Sequence, residues 1–454
     1  MRITRIIASA GLTVATLLGA CTNFLNSDKA VQNPNNPTTA TTAQLFVGVQ
    51  ANIFGQQEGP VAMIICEWMQ QCAGVNGRFV DQQGVYSISA GSFDGSFQSI
   101  YTGGGLLQIK QVEKQADASG DKVTKGMAEV LEAMNMMYGA DIWGDLPYSE
   151  AAGTITTPKF DPQMTVYANL LTLLTNAIAD LKGAGGPNPA DDLIYGGSTA
   201  KWIEAAHTLR ARIYLHRVEK LGNGEYTNAL AEAQLGISKP ADDFKSAHTG
   251  ATSERNMWAQ FQTSSFGNDL VAGSILVDLM TAQGDPRLPD YFGLNPSKTY
   301  GGYNVTTQAT AVKDISPILG SARTDDDAFS QPIITYDENQ LILAEASFKL
   351  TGAAAAAPYL NAVRAEYGKA AIAAPTLADI MNEKYIALFQ NIETWNDYKR
   401  TCLPVMHPAR SKAFIPGRLF YGQTEEQTNP NTPSSDQQNL FTVRNANDPA
   451  ACPP

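Results

Sequence analysis

Residues 138–151 read Tyr138-Gly139-Ala140-Asp141-Ile142-Trp143-Gly144-Asp145-Leu146-Pro147-Tyr148-Ser149-Glu150-Ala151. Just upstream, Met127, Val130, Met134 and Met137 recur at three- and four-residue spacing, which predicts one buried face of a helix. Gly139, Gly144 and Pro147 then end that helix and turn the chain. Asp141 and Asp145 fall inside the turn. As an acid pair they would offer proton transfer, but acids at a helix end serve more simply as caps or turn acceptors, and that is the reading adopted.

Working outward, the same periodicity returns. Tyr167, Leu171, Leu174, Ile178 and Leu181 follow an Asp161-Pro162 start signal. Trp202, Ala206, Leu209 and Ile213 form another stripe, and Leu377, Met381, Tyr385 and Leu388 a further one behind Pro375-Thr376. Shorter helices are predicted near 42–54, 105–117, 226–237, 336–350 and 357–367. Every stripe reads as core packing, the methionines included. Segment 199–238 looks like two helices around Leu221-Gly222-Asn223-Gly224. Its second half, Tyr226-x-x-Ala229-Leu230-x-x-Ala233, resembles the second helix of a tetratricopeptide unit, without the full consensus. Such pairs bury one face each and must stack to close a core. Residues 240–335 are rich in Gly, Ser, Thr, Asn and Asp, with weak helical periodicity and scattered aromatics, Trp258, Phe261, Phe266 and Tyr291 among them. The expected fold is mainly α, one domain over 41–454. Helical pairs form a curved scaffold (about 41–239 and 336–400) that carries a loop-rich insert (240–335) and a loop-rich tail (401–454).

The chain has 454 residues, 44% hydrophobic and 17% charged, enough apolar material for a large packed core. Its formal charge of −12 argues against nucleic acid, whose phosphates need a basic surface. The four histidines lie at 207, 216, 248 and 407, with no helical metal pair. HExxH, paired CxxC, Walker A, GxGxxG and GxSxG are all missing from the sequence. No cofactor and no metal is predicted. Asp325-Asp326-Asp327 reads as a solvated acidic turn rather than a calcium loop, and Gly103-Gly104-Gly105 as a helix entry.

Arg2 and Arg5 precede an uncharged apolar run, residues 6–20, that is short for a membrane span and reads as the core of a signal peptide. Leu18-Gly19-Ala20-Cys21 resembles a bacterial lipoprotein cleavage site, which makes 1–20 the signal, Cys21 the lipidated residue and 21–40 a polar tether. The remaining cysteines, Cys66, Cys72, Cys402 and Cys452, allow three pairings in an oxidising compartment. Cys66–Cys72 with Cys402–Cys452 is favoured, because the first closes a short local loop and the second pins the tail to the body. Glu338 and Glu345 share a helix face. Glu345, set among Leu343, Ala344 and Ala346, is read as a buried acid paired with an arginine, with Arg210, Arg212, Arg287 and Arg400 as candidates.

Taken in order, several segments resemble the SusD/RagB-like outer-membrane lipoproteins. They are Asn33-Pro34-Asn35-Asn36-Pro37-Thr38, the 138–151 stretch, Tyr195-Gly196-Gly197-Ser198 with Lys201-Trp202 and Leu209-Arg210-Ala211-Arg212, and Asp285-Pro286-Arg287-Leu288-Pro289. Tyr336-Asp337-Glu338 with Leu341-Ile342-Leu343-Ala344-Glu345-Ala346, Glu383-Lys384-Tyr385-Ile386-Ala387-Leu388, and Trp395-Asn396-Asp397-Tyr398-Lys399-Arg400 complete the set. The resemblance implies a SusD-like helical fold and a non-catalytic job. Such a protein captures a nutrient, usually a glycan, at the cell surface and sits as a lid on a SusC-like TonB-dependent outer-membrane barrel. The motifs do not separate glycan cargo from peptide or another nutrient. A glycoside hydrolase on a helical scaffold is the competing reading from a different class.

Sugars present flat apolar C–H faces ringed by hydroxyls, so a glycan binder needs exposed aromatic rings beside polar side chains. Two regions hold that mixture: 66–101, and 256–266 with Asn256, Trp258, Gln260, Phe261 and Gln262. The ligand-binding candidates are Phe79, Tyr86, Trp258 and Phe261. Trp68, close to Met63 and Ile64, is assigned to the core.

Overall fold

The computed structural model describes residues 40–84, 86–412, 414–448 and 452. The expected signal peptide, the Cys21 lipid-attachment site and the tether up to residue 39 lie outside them. The architecture is mainly helical, as the periodicity predicts. Helix α1 (Thr42–Glu58) starts on a reciprocal cap between Thr41 and Gln44, and α2 (Pro60–Trp68) follows after Gly59 with proline in its first turn. Next come α3 (Leu106–Ser119), α4 (Lys122–Trp143), α5 (Gln163–Asp180), α6 (Thr199–His216) and α7 (Gly224–Ala233). The last four long helices are α8 (Tyr336–Thr351), α9 (Ala353–Glu366), α10 (Leu377–Ala387) and α11 (Glu393–Thr401).

Successive helices pack on one another: α3 on α4, α4 on α5, α6 on α7, and α8 on α9 and α10. The predicted methionine face of α4 is only part of what it buries. Val123 to Trp143 are shielded almost without interruption, so α4 is the central post of the fold. Ala211, Leu215, Tyr226, Ala229, Ile342 and Ala346 form a separate apolar seam that joins α6 and α7 to α8.

Two short antiparallel ribbons tie the loop-rich part to the helices. Strand β1 (Cys72–Gly74) pairs with β3 (Leu270–Ala272), Ala73 opposite Val271. Strand β2 (Phe244–Lys245) pairs with β4 (Pro332–Ile334). The tail runs back over the end of α4. Trp143 Nε1 donates to the Phe420 carbonyl at 2.7 Å, Arg418 donates to the Trp143 carbonyl at 2.9 Å, and the Leu419 amide donates to the Ile142 carbonyl. Disulfides join Cys66 to Cys72 and Cys402 to Cys452.

Some boundaries differ from expectation. The helix expected over 226–237 stops at Ala233, where Gly236 brings its backbone against Thr208 and Asn339. That expected over 357–367 begins at Ala353 and runs through Pro358. Within 240–335 the structure contains a ten-residue helix, Ser274–Gln283, burying Leu276, Val277 and Met280. Its stripe is short and is bounded by Gly273 and Gly284, so periodicity alone understates it.

Candidate functional site

The site grows from the meeting of β1 and β3. Gly74 ends β1 so close to the next turn that a Cβ there would lie 2.4 Å from the Phe79 backbone. Gly77 then takes a positive φ of 55°, which a side chain disfavours, and turns the chain into the short helix Gly77–Gly84 that carries Arg78 and Phe79. From the other side, Asn256 caps the helix Met257–Gln262, its carboxamide oxygen accepting from the Trp258 and Ala259 amides at 3.0 and 3.2 Å. Glu58 of α1 accepts the Met257 amide at 3.1 Å and so fastens that helix to the scaffold. The helix delivers Phe261. A tight turn through Ser264 and Gly267 then presents Phe266, and Asp269 is held by Asn76 at 3.0 Å.

Gly77, Arg78, Phe79, Phe261, Phe266 and Asp269 line a cavity of about 340 Å³. The Phe79 and Phe261 rings meet edge to face, centroids 5.3 Å apart, with the Arg78 guanidinium 4.8 Å from the Phe79 centroid. Phe79, 2% exposed, is the buried back of the corner, Phe261 is half-buried, and Phe266 stands 63% exposed at the mouth. The result is an apolar corner rimmed by one cation and one anion, suited to an apolar face edged with hydroxyls. A roomier cavity, about 450 Å³, lies beside Val47, Ala51 and Met257, but its phenyl ring, Phe54, is buried.

Of the four ligand-binding candidates, Phe79 and Phe261 come together here. Tyr86 and Trp258 do not. Trp258 is 0% exposed, on the inner face of its short helix. Tyr86 packs edge-on against Trp68, and its hydroxyl accepts the Ala409 amide at 3.1 Å. Neither ring can stack on a ligand. The polar side chains of that helix are engaged as well: Asn256 is the cap, Gln260 donates to the Arg255 carbonyl, and Gln262 bridges Gly267 and Ile318. The candidates omit Gly77, the two rim charges, Arg78 and Asp269, and the exposed ring, Phe266. The signal for Phe266 is its setting, one large ring between Ser264-Ser265 and Gly267-Asn268-Asp269, the composition of an exposed turn.

The conspicuous charges elsewhere hold the scaffold together. Arg400 pairs with Glu345 and Asp397, Arg212 with Glu338 at 2.5 Å, and Arg287 with Asp285 at 2.7 Å and Glu383 at 2.5 Å. Asp145 accepts the Gln163 amide at 2.8 Å, near the start of α5. Asp141 has a deeper role than a cap. It accepts from the Tyr167 hydroxyl at 2.6 Å, from Asn396 and from His216.

Asp141, His216 and Glu393 are the one group among the described residues with the donors and spacing for a metal ion, their ligand atoms within 4.8 Å of one another. Each ring nitrogen of His216 already faces a carboxylate, Nδ1 at 3.0 Å from Asp141 and Nε2 at 2.8 Å from Glu393. Burial pulls the His216 pKa down, but the two carboxylate charges and their hydrogen bonds outweigh it and raise it to about 9. An imidazolium donating from both nitrogens has no lone pair for a metal. The ring is itself the cation that the two acids share.

A family model described as "Starch-binding associating with outer membrane", and named SusD-like, matches residues 34–358. No curated protein matches the chain. A SusD/RagB family protein from Bacteroides thetaiotaomicron shares 20% identity and the same fold, with a TM-score of 0.73 over 90% of this chain and 98% of that one. A protein described as chitin-binding has 22% identity and a TM-score of 0.74, covering 90% of this chain and all of its own. A chitin-binding SusD homologue from Flavobacterium johnsoniae has 19% identity and a TM-score of 0.69, covering 85% of this chain and 93% of its own. At these identities the structural likeness establishes the fold.

Proposed function

This chain belongs to the SusD-like family of nutrient-binding proteins associated with the outer membrane, and on that premise we propose that it captures a glycan at the cell surface and acts as the lid of a SusC-like TonB-dependent importer. The observation that carries the ligand class is the Phe79–Phe261–Phe266 corner with Arg78 and Asp269 at its rim. Sugar C–H faces stack on Phe266 and Phe261, and the ring hydroxyls meet the two charged side chains. Binding of this kind needs no bond to break. No helix of the described residues is long and apolar enough to cross a membrane. The anchor in this reading is acylated Cys21, with the segment up to residue 40 as its leash. Two of the structural neighbours are described as chitin-binding, which makes N-acetylglucosamine oligomers a natural first probe beside malto-oligosaccharides.

The test is calorimetric titration of residues 22–454 with both oligosaccharide series, each mixture then analysed for cleavage products. Saturable heat without new products, lost in Phe266→Ala, is the expected result. Released sugars would overturn the binder reading in favour of a hydrolase. Heat with peptides and none with sugars would keep the lid and change the cargo.

A further inference from the structure

A third cavity, about 270 Å³, shares no lining residue with the aromatic corner. It is bounded by Asp243, Arg287, Tyr291, Arg323, Phe329, Asp337, Glu366 and Phe389, among others. Arg323 is only 7% exposed, its guanidinium 4.6 Å from the Phe329 centroid, 5.0 Å from Tyr291 and 5.2 Å from Phe389. It donates to the neutral Gln390 side chain at 3.1 Å and has no ion pair among the described residues. Arg212, Arg287 and Arg400, buried as deeply, each hold a carboxylate. A guanidinium taken out of water with no carboxylate in contact is unfavourable; the charge of Asp290 bears on this one without an ion pair, and it faces a cavity.

The same cavity carries an excess of acids. Asp337 accepts from the Tyr367 hydroxyl at 2.8 Å, and Asp243 accepts the Tyr336 amide at 2.8 Å and faces Lys245 at 3.4 Å. The side chain of Glu366, at the exposed edge, has neither a hydrogen bond nor an ion pair among the described residues. Burial raises the pKa of Asp337 to about 6, with the charge of Asp243 adding to it. Burial and the charges of Asp337 and Asp243 raise Glu366 to about 7. These acids crowd one another: Asp243 has Lys245 and Asp337 feels the charge of Arg287, but Glu366 has no cation partner among the described residues. Arg323 does not serve as that cation, since the groups whose charge bears on it are Tyr291 and Asp290.

We propose that this cavity binds a small zwitterion, an amino acid or short peptide with free termini, its carboxylate on Arg323 and its ammonium between Asp337 and Glu366. The carboxylate supplies the ion pair that Arg323 lacks and the ammonium the cation that Glu366 lacks, and the Tyr291, Phe329 and Phe389 rings take the aliphatic part. The volume fits this scale, because cavities for larger ligands start at about 300 Å³.

The experiment titrates residues 22–454 calorimetrically with alanine, dialanine, N-acetyl-dialanine, dialanine amide and maltose. Saturable binding of alanine or dialanine is expected, with either capped form at least about tenfold weaker; which of the two binds tighter separates free amino acid from peptide. Arg323→Gln is expected to bind dialanine and its amide alike. Glu366→Gln, at an exposed position, is expected to bind dialanine and its N-acetyl form alike, and Phe266→Ala to change nothing here. No heat with either zwitterion, equal affinity for the capped forms, or displacement by maltose would overturn the proposal. None of these results bears on glycan binding at Phe266.

Discussion

Trp258→Ala and Phe266→Ala each remove one ring, and their locations dictate opposite outcomes. Trp258 lies fully inside, so its loss leaves a cavity and costs about 3–5 kcal/mol of stability. Phe266 stands in solvent, so Phe266→Ala leaves thermal stability nearly unchanged while weakening glycan binding about tenfold. Differential scanning calorimetry beside ligand titration reads both effects. His216 makes a second prediction at this scale. Its pKa is raised from 6.5 to about 9, so its stabilisation is complete below about pH 6.5 and is lost as pH climbs through 9. Glu366, raised to about 7, and Glu113, raised by burial to about 9, also titrate between about pH 7.5 and 9.5, so the histidine's share of the pH dependence across that interval is the part that His216→Gln removes. Urea unfolding across that interval shows falling stability, and His216→Gln flattens the slope.

The short elements near the aromatic corner are set by local chemistry, and they respond to local changes. Asn256→Ala removes the cap of the helix that carries Phe261, costing about 1 kcal/mol and misplacing half of the aromatic pair. Glycan affinity therefore falls along with the melting temperature, unlike in Phe266→Ala. Opening Cys66–Cys72 by replacing both with serine costs roughly 2 kcal/mol. It also frees β1, whose end sets the position of Phe79, so binding weakens again. Both variants are read by the same titration. What was legible in the sequence follows this division. Long stripes such as Tyr167–Leu181 identify their helices because tertiary burial repeats with the helical period. The aromatic-and-polar composition of 66–101 and 256–266 points to the right pair of segments, since Phe79 and Phe261 do converge. It does not separate rings that face a cavity from rings that face the core. Trp258 and Phe261 lie three positions apart on one short helix, and only the packing against α1 and the loops makes the first internal and the second accessible.

At the scale of the molecule, distant segments are joined through charges that no linear reading can pair. Arg212 reaches Glu338, Arg287 reaches Glu383, and Arg400 reaches Glu345, so the sequence offers candidate arginines for Glu345 without ranking them. Removing one member of such a pair strands the other in the core. Glu345→Ala is therefore expected to cost about 3–5 kcal/mol, measured by chemical denaturation. Attachment is also a property of the whole: if Cys21 is acylated, Cys21→Ser moves the protein from the membrane fraction to the soluble fraction, detected by fractionation and immunoblot. The tail that closes over α4 has a temporal consequence. Trp143 belongs to the first third of the chain, yet the Phe420 carbonyl that takes its indole N–H and the Arg418 guanidinium that fills its carbonyl come from the tail. If the polypeptide is threaded through a secretion channel, as the proposed signal peptide implies, the Trp143 end of its central helix stays uncovered until residues 418–420 have emerged. A copy cut short before residue 418 would then finish its passage with that end of the helix open to proteases.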